Sequence, residues 1–269
     1  MDEDISPILK AWPYDKTNAL RLLRGRDGRE KLQIRVCLDT FHGILQLECD
    51  GRPDGIRPHG YEFALHYYEE KRRRVEAEEG EGAFRLSHEE CAELFAESAA
   101  IYQRYVLLMQ IGNFDRVIRD TAHNMRLFRF VNRYAELPED RNNLERWWPY
   151  ILRIHHTAKA MKKAAAGDLS GAVEEMQTCR RLIENLPEQE DETFREEKKR
   201  SLDALNDMEK SFREKIPAAP EHEDAIARLE REKNEAVRRQ DYETAAKLRD
   251  EIRRLKKAAA EREKGETEP

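Results

Sequence analysis

Apolar positions along this chain change their spacing near residue 60. Between residues 18 and 51 they recur every second residue: Leu32, Ile34, Val36 and Leu38 are interleaved with Lys31, Gln33, Arg35 and Cys37, and Leu45, Leu47 and Cys49 continue the habit. That period belongs to β-strands with one covered face. Asp27-Gly28 supplies a tight turn after a Leu20 to Leu23 strand, and the Asp39 to Gly43 loop makes a second, so a three-stranded antiparallel meander is expected. From Tyr61 onward the spacing is helical almost throughout.

Within the helical part, Ser87-His88-Glu89-Glu90 forms a capping box that opens a helix running to about Ile111. Gly112-Asn113-Phe114 and Gly167-Asp168-Leu169 share one logic: the glycine ends a helix, the Asn or Asp caps the next, and the apolar residue packs back into the pair. A long charged helix is expected from about Thr193 to Lys215, followed by a proline-rich linker, Ile216-Pro217-Ala218-Ala219-Pro220. Beyond it, Ile226, Leu229, Ala236 and Val237 mark one amphipathic helix, and Ala245, Leu248, Ile252 and Leu255 a second, with Asp241 placed to cap the second. Such a hairpin offers few apolar side chains against a cost of about 1.5 kcal/mol per ordered residue, so it needs another surface.

The run Leu229, Ala236, Asp241-Tyr242-Glu243, Ala245-Ala246, Arg249-Asp250, Ile252, Leu255 resembles the UVR motif shared by the UvrB and UvrC nucleotide-excision-repair proteins. That resemblance implies a non-catalytic helical hairpin that dimerises or docks on partner proteins. Lys233 and Gln240 stand where the motif more often has Met and Leu, which narrows the contact stripe. The two glycine turns resemble the inter-helix turn of tetratricopeptide repeats, although 55 residues separate them instead of about 34, which implies interrupted repeats. The string from Leu45-Gln46-Leu47 into Gly51-Arg52-Pro53-Asp54-Gly55 is similar to the front of bacterial proteins that end in a UVR motif.

Charged residues make up 39% of the chain, with a net charge of −6 and the two signs closely mixed, which favours solvated helices over one compact sphere. The basic clusters Lys71-Arg72-Arg73-Arg74, Arg238-Arg239 and Arg253-Arg254 all have acidic neighbours, so they read as solvated faces. The four cysteines, Cys37, Cys49, Cys91 and Cys179, form no Cys-x-x-Cys pair, which argues against zinc. The acidic start and the lack of any apolar run near ~20 residues lead to the expectation of a cytoplasmic protein without membrane contact.

Candidate chemistry is sparse. Arg52, Arg57 and His59 lie in a loop of three glycines and two prolines that could cradle an anion. The neighbours His155 and His156 point roughly 100° apart on a helix and cannot share an ion. Cys91 with His88 at i, i+3 is better read as a buried thiol than as a nucleophile. Tyr102, Tyr105, Phe114, Phe128, Phe130, Tyr134, Trp147, Trp148 and Tyr150 read as helix-packing core, except that Trp147 and Trp148 cannot both face inward. No phosphate loop, dinucleotide fingerprint or nucleophile elbow is present, so neither cofactor nor catalysis is expected.

The expected fold is mostly α: a small antiparallel β meander with its Gly/Pro loop at 1–60, a tetratricopeptide-like helical body at 61–215, a linker at 216–224, a UVR hairpin at 225–258 and a disordered charged tail at 259–269. The expected function is a scaffold or adaptor whose body holds a peptide or protein in a groove. Its hairpin docks a protein partner or a second copy through Leu229, Ala236, Tyr242, Ala245, Ala246, Leu248, Arg249 and Ile252. The alternative is a nucleic-acid-binding accessory of DNA repair or stress response.

Overall fold

The computed structural model describes the backbone of residues 4–216 and 225–265 and the side chains of 4–216 and 228–256, so the linker expected at 216–224 lies, beyond Ile216, outside the described residues. The chain divides into two compact units, Met1–Lys215 and Ile216–Pro269. The fold is mostly α, with an N-terminal three-stranded sheet and a C-terminal helical pair, as the spacing of apolar residues predicts.

Strands β1 (Leu20–Arg24), β2 (Glu30–Leu38) and β3 (Phe41–Glu48) form an antiparallel sheet in the order β1-β2-β3. The second connection is shorter than the Asp39 to Gly43 loop expected: Phe41, His42 and Gly43 already pair with Leu38, Cys37 and Val36. Asp39 turns the chain at φ 50°, a left-handed conformation that aspartate tolerates, so Asp39 and Thr40 suffice. Leu32 pairs with Leu22 on one side and Leu47 on the other, so all three share one apolar face. Leu32 is sealed against Ile101, Tyr105, Leu108, Val117 and Ala158, whereas Leu38, Phe41 and Leu45 at the far end of that face are exposed.

The opposite face is covered by a segment without a clear sequence signal. A short helix, α1 (Ser6–Ala11), opened by Asp4 accepting from the Ser6 amide at 3.0 Å, delivers Trp12 to the sheet. The Trp12 indole donates to the Asn18 carbonyl at 3.1 Å, and the Arg21 guanidinium lies 4.0 Å from the ring centroid. Arg35, at a polar position of β2, is consequently buried, its Nε donating to the Trp12 carbonyl at 3.1 Å.

The helices of the body are α2 (Ala64–Glu79), α3 (His88–Gln110), α4 (Phe114–Tyr134), α5 (Pro138–Glu145), α6 (Trp148–Ala165), α7 (Leu169–Glu184) and α8 (Glu192–Lys215). The capping box forms as read, with the Glu90 amide donating to Ser87 Oγ at 3.3 Å and the Ser87 amide to Glu90 Oε2 at 3.0 Å. Both glycine turns form as well: Gly112 and Gly167 take φ of 71° and 84°, and Asn113 and Asp168 accept from the amides three residues on. Two antiparallel pairs result, α3 with α4 and α6 with α7, and α5 between them accounts for the wide spacing of the turns.

Two buried charges on one face of α3 fasten these parts. Arg104 grips Asp120 of α4 through two parallel bonds of 2.7 and 2.8 Å, and its remaining nitrogen donates to the Glu48 and Gly51 carbonyls at 3.0 and 2.6 Å. One turn pair earlier, Glu97 accepts from the Ala64 and Leu65 amides at 2.6 and 3.3 Å. It thereby caps α2, whose own N-cap residue, Phe63, has no side-chain acceptor.

Removing one member of such a pair strands the other charge in a dry site. Asp120→Ala therefore lowers the unfolding free energy of the body by about 3–5 kcal/mol. Urea denaturation followed by tryptophan fluorescence reads this directly, because Trp12, Trp147 and Trp148 all lie in the unit Met1–Lys215.

Candidate functional site

The C-terminal hairpin consists of α9 (Ala225–Arg238) and α10 (Tyr242–Gly265), the latter passing residue 258, where the sequence reading ends the hairpin. Asp241 caps α10 as expected, its Oδ1 accepting from the Thr244 amide at 3.0 Å. Gln240 takes φ 60° and the Asp241 amide donates back to the Ala236 carbonyl at 2.9 Å, closing α9 without a glycine. The helices pack on each other, and Lys256 reaches Glu230 across the pair at 2.7 Å.

Packing divides the eight expected docking residues into three groups. Ala236, Ala245 and Ile252 are buried, and their helical spacing places them along the seam where α9 meets α10. Small side chains on a seam let the backbones approach closely. Tyr242 and Arg249 stay in solvent, while Leu229, Ala246 and Leu248 are half-covered. Apolar surface is therefore left over: Tyr242 is 67% exposed and Val237 48%, on either side of the connecting turn. Val237 lies outside the set chosen from the motif, although its apolar side chain on α9 was legible.

Two of the three groups in the Gly/Pro loop face carboxylates. Arg52 forms two bonds to Asp54, of 3.1 and 2.7 Å, and lies 3.5 Å from Glu97. The bonds from Arg52 hold the Asp54 carboxyl below its usual range. His59 faces Glu93 at 3.1 Å and stacks on Tyr67, while Arg57 points outward. Arg52 and His59 therefore both act on the Glu93 carboxylate, and each already has an acidic partner that an anion would have to replace. His155 turns to Thr121 at 2.8 Å and His156 to Glu175 at 2.8 Å, diverging as helix geometry requires. Burial pushes the Cys91 thiol up to about 12, so it stays protonated near neutrality, while His88 faces Asp140 at 3.0 Å.

A basic concavity arises where sequence reading saw only a solvated helix. Arg72 and Arg73 of α2 meet Arg126, Arg129 and Arg133 of α4 around an open cleft of about 300 Å³. Arg73 pairs with Glu70 and Arg126 with Glu69, but Arg129 and Arg133 meet no carboxylate among the described residues. Instead they lie over the Trp148 and Tyr134 rings. Their i, i+3, i+7 spacing on one helix face is the signal that would have revealed them.

Residues 223–258 match the family model of UVR, the UvrB/uvrC motif, a motif of protein and nucleic-acid interaction. Neither the curated proteins nor the solved structures yield a match to the chain.

The division of the hairpin has a direct test. Ala245→Asp buries a carboxylate in the seam and lowers hydrogen-exchange protection across α9 and α10 by roughly tenfold or more. Tyr242→Lys, on the open side, leaves that protection unchanged.

Proposed function

We propose that this chain is a non-catalytic adaptor whose C-terminal hairpin docks a protein partner or a second copy through the surface that its own pairing leaves uncovered. One observation carries the reading: the segment that matches the UVR motif spends Ala236, Ala245 and Ile252 on its internal seam, yet leaves Tyr242 and Val237 largely in solvent. An exposed tyrosine is the kind of anchor that contributes most when a partner removes it from water, and an exposed valine adds apolar surface. The charged flank supports this use, because Arg228, Arg239, Lys247 and Arg249 pair with acids one to four residues away and form a polar rim.

The test uses the full chain and the double variant Val237→Lys, Tyr242→Lys. Sedimentation reads self-association and affinity capture from the native cell reads partners. The variant weakens the complex by roughly 2 kcal/mol or more, about thirtyfold, with the melting of the body unchanged. A complex that survives in the variant overturns the proposal.

A second reading, a polyanion such as nucleic acid bound by the body, is favoured by the five-arginine cleft and by the absence of carboxylate partners for Arg129 and Arg133 among the described residues. Duplex DNA binding at low salt, with a salt slope reduced by about one for each of Arg129→Ala and Arg133→Ala, supports it. No binding at low salt removes it.

A further inference from the structure

The two edges of the sheet differ in how they are guarded. β1 carries Arg21 and Arg24, whereas β3 from Phe41 to Leu47 holds no lysine, arginine, carboxylate or proline and pairs with β2 without a bulge. Charges, prolines and bulges are what ordinarily keep an edge from taking another strand.

Two bonds fix which way the β3 backbone points. The Cys49 amide donates toward β2, to the Glu30 carbonyl at 3.1 Å, and the Glu48 amide turns away to the Pro53 carbonyl at 2.9 Å. Antiparallel ladders alternate, so Phe41, Gly43, Leu45 and Leu47 bond to β2, while His42, Ile44 and Gln46 direct their N–H and C=O groups outward. Among the described residues nothing bonds to those three outward backbones. The edge is also sterically open: His42, Leu45 and Gln46 are exposed, and a Cβ at Gly43 would meet nothing within 4 Å.

The apolar face of the sheet is covered at one end and bare at the other. Leu32 and Leu47 lie against residues of α3, α4 and α6, whereas Leu38 and Phe41 at the far ends of the same strands are 66% and 77% exposed. An antiparallel neighbour reverses the strand direction, and so can set a bare end beside a covered one.

β3 is itself such a neighbour. When Ile44 faces Ile44 across a two-fold axis and His42 faces Gln46, all three outward residues of both copies are paired. Sliding by two residues one way sets Gln46 opposite Thr40 in the turn, and the other way sets His42 opposite Glu48, whose amide is already taken by Pro53. In the fully paired register Phe41 lies beside Leu47 of the second copy, at the end that the helices cover. Leu45 lies beside Gly43, which leaves room for it, and His42 with Gln46 makes a polar cross-strand pair on the other face.

We propose that the free edge of β3 pairs antiparallel with β3 of a second copy, joining the two sheets into one of six strands and covering Phe41 of each copy with the body of the other. An extended segment of a different protein would meet the same amides but would lack this reciprocal cover. The inference rests on the body and is independent of the hairpin.

The test uses the full chain carrying Val237→Lys and Tyr242→Lys, which removes the hairpin contact. Sedimentation shows a concentration-dependent dimer, and hydrogen exchange of the His42, Ile44 and Gln46 amides is slower in the dimer by roughly tenfold or more. Phe41→Lys, at a position exposed in the single copy, sets an ammonium against the covered end of the second copy and weakens the dimer by roughly tenfold or more. Gln46→Pro removes an outward N–H without taking a bond from β2 and weakens it by about tenfold. Self-association through the hairpin is then read in the chain carrying Phe41→Lys alone, where β3 no longer contributes. A monomer at every concentration, a dimer in which the three amides exchange as fast as in the monomer, or a dimer equally tight in Phe41→Lys overturns the proposal.

Discussion

One guanidinium sets how the first helices of the body meet the sheet. Arg104 spends two nitrogens on Asp120 and the third on the carbonyls of Glu48 and Gly51, so a single side chain joins α3 to α4 and both to the end of the sheet. Desolvating two charges costs several kcal/mol, and the gain within the pair roughly cancels it, so the effect lies in geometry more than in net stability. A planar fork accepts only one arrangement of its partners. Glu97, seven residues earlier on the same face, fixes the start of α2. With the sheet and three helices indexed in this way, Leu32 falls into the apolar cluster, and α4 presents its arginine face beside α2.

Among the described residues the C-terminal hairpin has no such fastener. It relies on an alanine seam and on ion pairs within or between its two helices, such as Lys256 with Glu230. Exposed pairs of this kind contribute about 0–1 kcal/mol each. Covering the remaining apolar side chains would stabilise the pair further, which links docking to order: a partner that buries Tyr242 and Val237 stabilises the fold by its own binding free energy.

Local chemistry was legible in the sequence, and remote partners were not. Ser87 with Glu90, Gly112 with Asn113, Gly167 with Asp168, and Asp241 all act on amides within a few residues, so their roles could be read without coordinates. Glu97 caps a helix that begins 33 residues away, and α1 exists to bring Trp12 under Arg21, facts that only packing reveals. The docking stripe was legible as a helical period but not as two surfaces, because the division depends on which side of each helix faces the other. The Asp39 to Gly43 loop was read too long because glycine suggests a turn, whereas Gly43 pairs with Val36 inside the ladder.

The central claim is that the uncovered side of the hairpin is a contact surface. A photo-crosslinking amino acid placed at position 242, compared with one at the exposed, ion-paired position 247, tests it most directly in the cells that make the protein. Adducts with one defined protein or with a second copy at 242, and none at 247, are the expected result. Equal adducts at both positions, or none at 242, would contradict the account.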